Sequence, residues 1–169
     1  MNFDFSGKKI LITGGIRGIG LSVAKMFSAS ACKMVLGYKK NHEIAESVYS
    51  ELSMKKTDLK IISGDLSSEN ECERFIKNSQ DFLGDIDIFV HCCGIRMDAP
   101  GSMMKNSYWN KVINTNLNSA FYCSKLVSKN MLKKQFQDLE RPKDCITISS
   151  NQTLTEICKL IINTLSLKK

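Results

Sequence analysis

Short runs of apolar residues recur along the chain, and segments with helical spacing separate them. The runs are continuous rather than alternating, which is typical of strands buried on both faces of a parallel sheet. The five predicted strands cover residues 8–13, 32–38, 59–63, 86–92 and 144–149. Between them, apolar side chains return every three or four residues, which predicts amphipathic helices. The four predicted helices cover residues 19–31, 42–54, 68–82 and 107–134, with Ser67 or Ser68 opening the third.

The order β-α-β-α-β-α-β-α-β predicts an α/β fold. We expect a doubly wound, Rossmann-type parallel sheet of about five strands, joined by right-handed crossovers. The length of 169 residues suits one domain with a core of its own.

A glycine-rich turn, TGGIRGIG at residues 13–20, joins the first strand to the first helix. Glycine adopts the backbone conformations that such a turn requires and leaves no Cβ in the way of a ligand. The N–H groups and the dipole at the start of a helix suit a pyrophosphate. The spacing T-G-x-x-x-G-x-G differs from the usual G-x-G-x-x-G, but its place on the first β-α unit favours dinucleotide binding. The alternative is that these glycines only permit tight packing.

Positive charge follows the second strand, where a carboxylate would bind the ribose 2′-hydroxyl of NAD. The sequence there reads LGYKKN, with Lys39 and Lys40, and Arg17 lies in the glycine turn. Cations at this place suit the 2′-phosphate of NADP, so we expect NADP(H) in preference to NAD(H). The alternative is that both lysines are ordinary surface charges.

The composition narrows the range of partners. Seven cysteines are scattered without a C-x-x-C pair, which indicates reduced thiols, a cytoplasmic location and no metal site. We find no secretory signal and no apolar run long enough to cross a bilayer, so no membrane partner is expected. The net charge is +7, and we interpret the basic excess as a solvated face rather than a nucleic-acid surface, because no aromatic residues are interleaved with it.

From about residue 5 to residue 150, the chain resembles the short-chain dehydrogenase/reductase family, most of all its 3-oxoacyl-[acyl-carrier-protein] reductases. The motifs that carry the resemblance are TGGIRGIG, GDL at 64–66, HCCG at 91–94, WNKVINTNL and ITISS. Together with the charge pattern, the resemblance implies these cofactor-binding residues: Gly14, Arg17, Gly18, Ile19, Gly20, Lys39, Asp65, Leu66 and Gly94. HCCG stands where the family has Asn-Asn-Ala-Gly, so only Gly94 matches there. Residues 1–150 are therefore assigned to an NAD(P)-binding Rossmann domain.

The resemblance also implies two catalytic residues, Asn116 in WNKVINTNL and Ser150 at the end of the fifth predicted strand. In this family, a Tyr hydroxyl gives a proton to the carbonyl oxygen, and a Lys one helical turn later lowers the pKa of that Tyr. None of the four tyrosines has a Lys four residues later, and no Tyr follows Ser150. We therefore expect a C-terminally truncated member that is catalytically impaired as written.

Residues 151–169 predict a short helical tail of the same domain. Thr153 and Glu156 have the spacing of a capping box, with Thr153 as the N-cap. The alternative is a sequence unrelated to the family, produced by truncation or a change of reading frame.

Two functions stay open. One is an NADP(H)-dependent carbonyl reductase, and the other is a non-catalytic nucleotide-binding or interaction module. The resemblance implies that the helix at 107–134 can pack against a second copy, which allows a homo-oligomer, and the sequence leaves the oligomeric state open. We interpret His91 as a core histidine with satisfied hydrogen bonds, and Tyr108 and Trp109 as core or interface residues.

Overall fold

A computed structural model describes residues 4–138, 153, 155–157 and 159. The chain forms two compact units, residues 1–134 and residues 135–169. The strands described in the first unit are β1 (Lys9–Thr13), β2 (Lys33–Tyr38), β3 (Asp58–Ser63) and β4 (Ile88–His91). All pairings between them are parallel.

The strands lie in the order β3-β2-β1-β4. The chain winds from β1 through β2 to β3 and then returns to the other side of β1 as β4. The carboxyl ends of β1 and β4 therefore border a switch point in the topology, which is where ligand crevices of such sheets lie. The central strand is fully covered, since Ile10, Leu11 and Ile12 are all 0% exposed.

The helices are α1 (Gly18–Phe27), α2 (His42–Ser53), α3 (Glu69–Leu83), α4 (Asn106–Ile113) and α5 (Ser119–Asp138). Alternation along β1 divides the core into two apolar clusters. Ile10 and Ile12 pack with residues of α1 and α2. Leu11 packs with residues of α3 and α5. Helices thus cover both faces of the sheet, and the prediction of a doubly wound α/β fold is confirmed.

The helix predicted over 107–134 is interrupted. A π-helical turn, Asn114–Asn118, separates α4 from α5, and the N–H of Ser119 bonds to the carbonyl of Asn114, five residues back. Such a turn holds one residue more than an α-helical turn. The apolar spacing did not predict it, because mixed three- and four-residue steps are those of an ordinary α-helix.

The first helix is shorter than its predicted range, 19–31, because a serine-rich turn ends it after Phe27. The N–H of Ser30 bonds to the carbonyl of Phe27, three residues back, and the Ser28 hydroxyl bonds to the carbonyl of Lys25. Local bonds of this kind compete with the helical ladder, and the chain then turns into β2.

Two predictions concern the chain beyond α5. The fifth predicted strand, at 144–149, lies outside the described residues. In the second unit, the Thr153 N–H donates to the Glu156 carboxylate over 2.8 Å, and the Glu156 N–H donates to Thr153 Oγ1 over 3.4 Å. Residues 155–157 are helical. The capping box is therefore confirmed, while the domain boundary at residue 150 stays a prediction.

Within the described residues, no helix is both long enough and apolar enough to cross a membrane.

Candidate functional site

The glycine turn is built by close backbone approach. Gly14 and Gly18 adopt the left-handed region, with φ of +65° and +55°. A Cβ on Gly14 would lie 2.8 Å from the carbonyl oxygen of Cys92, and one on Gly20 would collide with the carbonyl oxygen of Gly14. Glycine at these positions lets α1 start directly behind β1 and beside the end of β4.

The start of α1 presents unpaired amides. The first bond into the helix is from the Leu21 N–H to the Arg17 carbonyl. Within the described part of the chain, no acceptor takes the N–H groups of Gly18, Ile19 and Gly20. Gly18 and Ile19 are exposed, whereas Gly20 is buried. A Cβ added to Gly18 would meet nothing within 4 Å, so the turn is open beside Gly18. Unpaired amides at the positive end of a helix dipole form an anion-binding cradle, which fits the pyrophosphate of a dinucleotide.

Lys39 and Asp65 meet at the edge of the site. The β2–β3 register pairs Tyr38 with Ser63, so the residues that follow each strand become neighbours. Lys39 Nζ lies 2.5 Å from Asp65 Oδ2. Burial alone would raise the pKa of Asp65, but hydrogen bonds from Lys39 and Ser67 and the Lys39 charge lower it overall. The sequence placed both residues in the site without predicting that they pair.

Two other cations remain available beside this ion pair. Arg17 and Lys40 are exposed. Neither forms an ion pair with another described residue. Leu66 is different, because its side chain is only 7% exposed and packs in the core with α3. A contact between Leu66 and a ligand would therefore have to come from its backbone.

The β4 side of the site is held by Asn116. Its Oδ1 accepts from the Ile95 N–H over 2.8 Å, and its Nδ2 donates to the Ile95 carbonyl over 2.9 Å. Gly94 lies beside it, since a Cβ on Gly94 would be 3.5 Å from Asn116 Oδ1. Asn116 thus binds the segment after β4 through both ends of its amide, a contact that the sequence did not predict. Ser150 lies outside the described residues, so its distance from Asn116 stays open.

His91, at the end of β4, has hydrogen-bond partners on both ring nitrogens. Nδ1 lies 3.1 Å from Thr13 Oγ1, and Nε2 lies 3.1 Å from Ser119 Oγ. The prediction of a satisfied core histidine is confirmed for its hydrogen bonds, and the ring is half-buried. The apolar flanks of HCCG signalled burial, but nothing in the sequence indicated which residues would meet the ring.

Comparisons with known proteins agree with this geometry. The family model described as short chain dehydrogenase matches residues 8–158. An acetoacetyl-CoA reductase of Allochromatium vinosum is 32% identical over 127 residues, which are 75% of this chain and 52% of that protein. A 3-oxoacyl-[acyl-carrier-protein] reductase of Synechocystis sp. is 33% identical over 125 residues, which are 74% of this chain and 51% of that protein. The chain thus spans about half the length of these relatives.

Two solved structures, one with bound NADP and one with bound NAD, share the fold of this chain. A short chain dehydrogenase of Burkholderia cenocepacia in complex with NADP matches with a TM-score of 0.72 and 23% identity, over 76% of this chain and 52% of that one. An NADH-dependent reductase complexed with NAD matches with a TM-score of 0.72 and 19% identity, over 78% of this chain and 55% of that one. The fold, the glycine turn and the match over most of the sequence lead to one conclusion: the chain belongs to the short chain dehydrogenase family.

Proposed function

We propose that the glycine turn binds the pyrophosphate of a nicotinamide dinucleotide, and that NADP(H) is preferred to NAD(H). The observation that carries this proposal is the row of unpaired amides at Gly18, Ile19 and Gly20, at the start of α1 and beside the switch point of the sheet. Gly14 and Gly94 would line the same crevice, and Asp65 would border the adenine end.

The preference for NADP(H) depends on cations that are not already neutralised. Lys39 is paired with Asp65, so most of its charge is offset. We therefore assign the 2′-phosphate to Lys40 and Arg17, with Lys39 beside them. Charged donors of this kind form strong hydrogen bonds with phosphate oxygens.

We propose carbonyl reduction of the 3-oxoacyl type as the reaction class. The support is the similarity to relatives named acetoacetyl-CoA reductase and 3-oxoacyl-[acyl-carrier-protein] reductase. A bound NADPH would supply hydride. Ser150 would orient the substrate carbonyl, and Asn116, with its side chain held by Ile95, would fix the floor of the site.

A specific observation favours a second candidate, a non-catalytic nucleotide-binding or interaction module. The 169 residues contain four tyrosines, and none has a lysine four positions later. A positioned general acid commonly contributes about 10²–10⁴-fold to the rate. We propose that a polypeptide of this sequence binds the dinucleotide with little or no turnover.

We also propose a cytoplasmic location, because the five cysteines in the described residues are free thiols.

The test is a fluorescence titration of the full chain with NADPH and with NADH. We expect a saturable rise with both and tighter binding of NADPH. The K40A variant should weaken NADPH binding about tenfold, the loss of one charge-assisted hydrogen bond, and leave NADH binding unchanged. K55A is the matched control, since Lys55 lies between the C-terminal end of α2 and the start of β3, at the amino ends of the strands rather than at their carboxyl ends.

Three results would contradict the NADP preference, dinucleotide binding and the lack of turnover, respectively. Equal affinity of the wild type for NADPH and NADH would overturn the NADP preference. A titration without signal from either nucleotide would overturn dinucleotide binding. Steady oxidation of NADPH in the presence of a 3-oxo ester would overturn the non-catalytic assignment and support the reductase.

A further inference from the structure

The hydrogen bonds of His91 join three elements at one wall of the site. Thr13 ends β1, His91 ends β4, and Ser119 begins α5. The imidazole lies between the two hydroxyls, 3.1 Å from each. The Cys93 thiol also approaches Nε2, over 3.2 Å.

The neighbouring bonds determine which ring nitrogen carries the proton. Ser119 Oγ donates its one proton to the Thr115 carbonyl, over 2.5 Å. Toward His91 it can therefore only accept, so Nε2 must be the donor. Thr13 Oγ1 already accepts from the N–H groups of Cys92 and Cys93. Its own proton is left for Nδ1, which must be the acceptor. The network is complete when the ring is neutral and protonated at Nε2.

This network fixes the backbone that borders the glycine turn. The Thr13 hydroxyl holds the Cys92 N–H over 3.1 Å and the Cys93 N–H over 3.4 Å. The Cys92 carbonyl, in the same short segment, lies against Gly14 so closely that a Cβ there would be 2.8 Å away. The orientation of the Thr13 hydroxyl therefore bears directly on the wall where we place the dinucleotide.

The surroundings of the ring favour its neutral form. The groups that face it are Thr13 from β1, Phe89 and Cys93 from β4 and its following segment, and Ser119 from α5. Among the described residues, no carboxylate or ammonium group bonds to it. Burial lowers the pKa of His91 and raises the pKa of the Cys93 thiol, so Cys93 stays uncharged while His91 titrates. The other titratable groups described near Cys93 are the thiols of Cys92, of Cys72 in α3 and of Cys123 in α5.

We propose that His91 is a positioning residue for the dinucleotide site. In its neutral form, it holds the Cys92–Gly94 segment against the glycine turn through Thr13. Protonation at Nδ1 adds a third donor to the Thr13 hydroxyl oxygen, which has two lone pairs, so Thr13 must release at least one of the two amides. The Cys93 N–H depends on this hydroxyl most, because the Cys92 N–H also bonds to the Thr13 carbonyl over 3.2 Å. This proposal rests on the proposed binding of a dinucleotide at that wall.

The sign of the pH dependence follows from this scheme. The dinucleotide binds the form with neutral His91, so affinity is full above the pKa of that residue in the free protein and falls below it. An ordinary histidine titrates near about 6.5, and the lowered pKa of His91 moves the loss to more acidic pH. Below that point, the dissociation constant rises toward about tenfold per pH unit.

The experiment measures NADP⁺ binding by calorimetry between pH 5 and pH 8, with the wild type and with H91N. Asparagine does not titrate, and its Oδ1 can accept from Thr13. The 2′-phosphate of the ligand ionises near pH 6 itself, but this contribution is common to both proteins and cancels in the ratio of their dissociation constants. We expect this ratio to change toward low pH, by up to about tenfold per pH unit below the pKa of His91. Any contribution of the only other histidine, His42, is also common to both proteins and cancels in the same ratio.

A second measurement needs no ligand. Nitrogen-15 NMR of the wild-type imidazoles distinguishes the two neutral tautomers, and we expect His91 to be protonated at Nε2 and neutral at pH 7. The Nδ1 tautomer, or a charged ring at pH 7, would overturn the proposal. So would parallel pH profiles of wild type and H91N. Failure of the wild type to bind NADP⁺ at pH 8 despite the expected NMR signature would instead show that dinucleotide binding itself is wrong, and the positioning role would fall with it.

Discussion

At the scale of single residues, α1 can lie close to β1 because glycines, which have no side chain, stand between them. Gly20 is buried, and a Cβ there would collide with the backbone of Gly14 and Gly15. Neither strand nor helix can yield, since β1 is the fully buried centre of the sheet. The turn thus depends on Gly20 for packing and on Gly14 and Gly18 for their positive φ angles.

Replacement of Gly20 by alanine should therefore destabilise the fold. The expected loss is about 1–3 kcal/mol of unfolding free energy, which is typical of overpacking, even though alanine is the better helix former. Urea unfolding of G20A measures it. G101A is the matched control, because a Cβ there meets nothing within 4 Å, and its stability should stay within about 0.5 kcal/mol of the wild type. Equal stability of the two variants would contradict the close approach described here.

The Asp65 ion pair predicts a pH dependence of stability. The pKa of Asp65 is lower in the folded protein, so its stabilisation is present above the unfolded value of about 3.9 and is lost as the pH falls through the folded value. We expect D65N to be less stable than the wild type at pH 6 by less than about 1 kcal/mol, since the pair is partly exposed. The difference should shrink toward pH 3. Urea unfolding across this range tests it, and a difference independent of pH would refute the assignment.

At the scale of elements, α3 shows how a local sequence signal becomes a bond. The sequence left Ser67 and Ser68 as alternatives for its N-cap, and the structure selects Ser68, whose Oγ accepts from the Glu71 N–H over 3.4 Å. Ser67 has a different partner, because its N–H donates to Asp65 over 3.2 Å. The cap thereby fixes the start of the helix directly after the segment that carries Asp65.

Replacement of Ser68 by alanine should cost about 1 kcal/mol, the usual effect of losing an N-cap acceptor. S68D keeps an acceptor and adds a negative charge at the helix N-terminus, so it should restore wild-type stability. Thermal unfolding of both variants provides the measurement. A loss of stability in S68D equal to that in S68A would show that the effect of S68A does not come from the missing N-cap acceptor.

Elements with strong periodicity were predictable, whereas contacts between distant residues were not. The apolar runs predicted β1 to β4, because continuous burial leaves a clear pattern along the chain. The π turn at Asn114–Asn118 leaves no such pattern, since the apolar spacing around it is that of an ordinary α-helix. The bonds between Thr13 and His91, 78 residues apart, and between Lys39 and Asp65 depend on strand register, which no local pattern reveals. In the site, the sequence thus supplied the candidate residues, and the structure supplied their pairings.

At the scale of the whole molecule, one helical segment carries an unusual amount of exposed apolar surface. The exposed apolar residues of α4, the π turn and α5 are Tyr108, Trp109, Leu117, Phe121 and Leu132. Patches of this kind mark association surfaces more often than free ones. A homo-oligomer through residues 107–134 has a physical basis here, and we keep it as a proposal.

The single tryptophan reports on this association. Trp109 is the only one in the sequence, and its side chain is 59% exposed, so its emission should shift to shorter wavelength as the protein concentration rises and a second copy covers it. F121D places a charge in the same surface and should weaken association at least tenfold, since truncating a central aromatic anchor commonly costs about 2 kcal/mol or more. M54D is the matched control, because Met54 is 83% exposed but follows α2, and it should associate like the wild type. Sedimentation velocity gives the oligomeric state directly. A monomer at every concentration, with constant tryptophan emission, would rule out this surface as an interface between copies and leave its apolar residues available for a different partner.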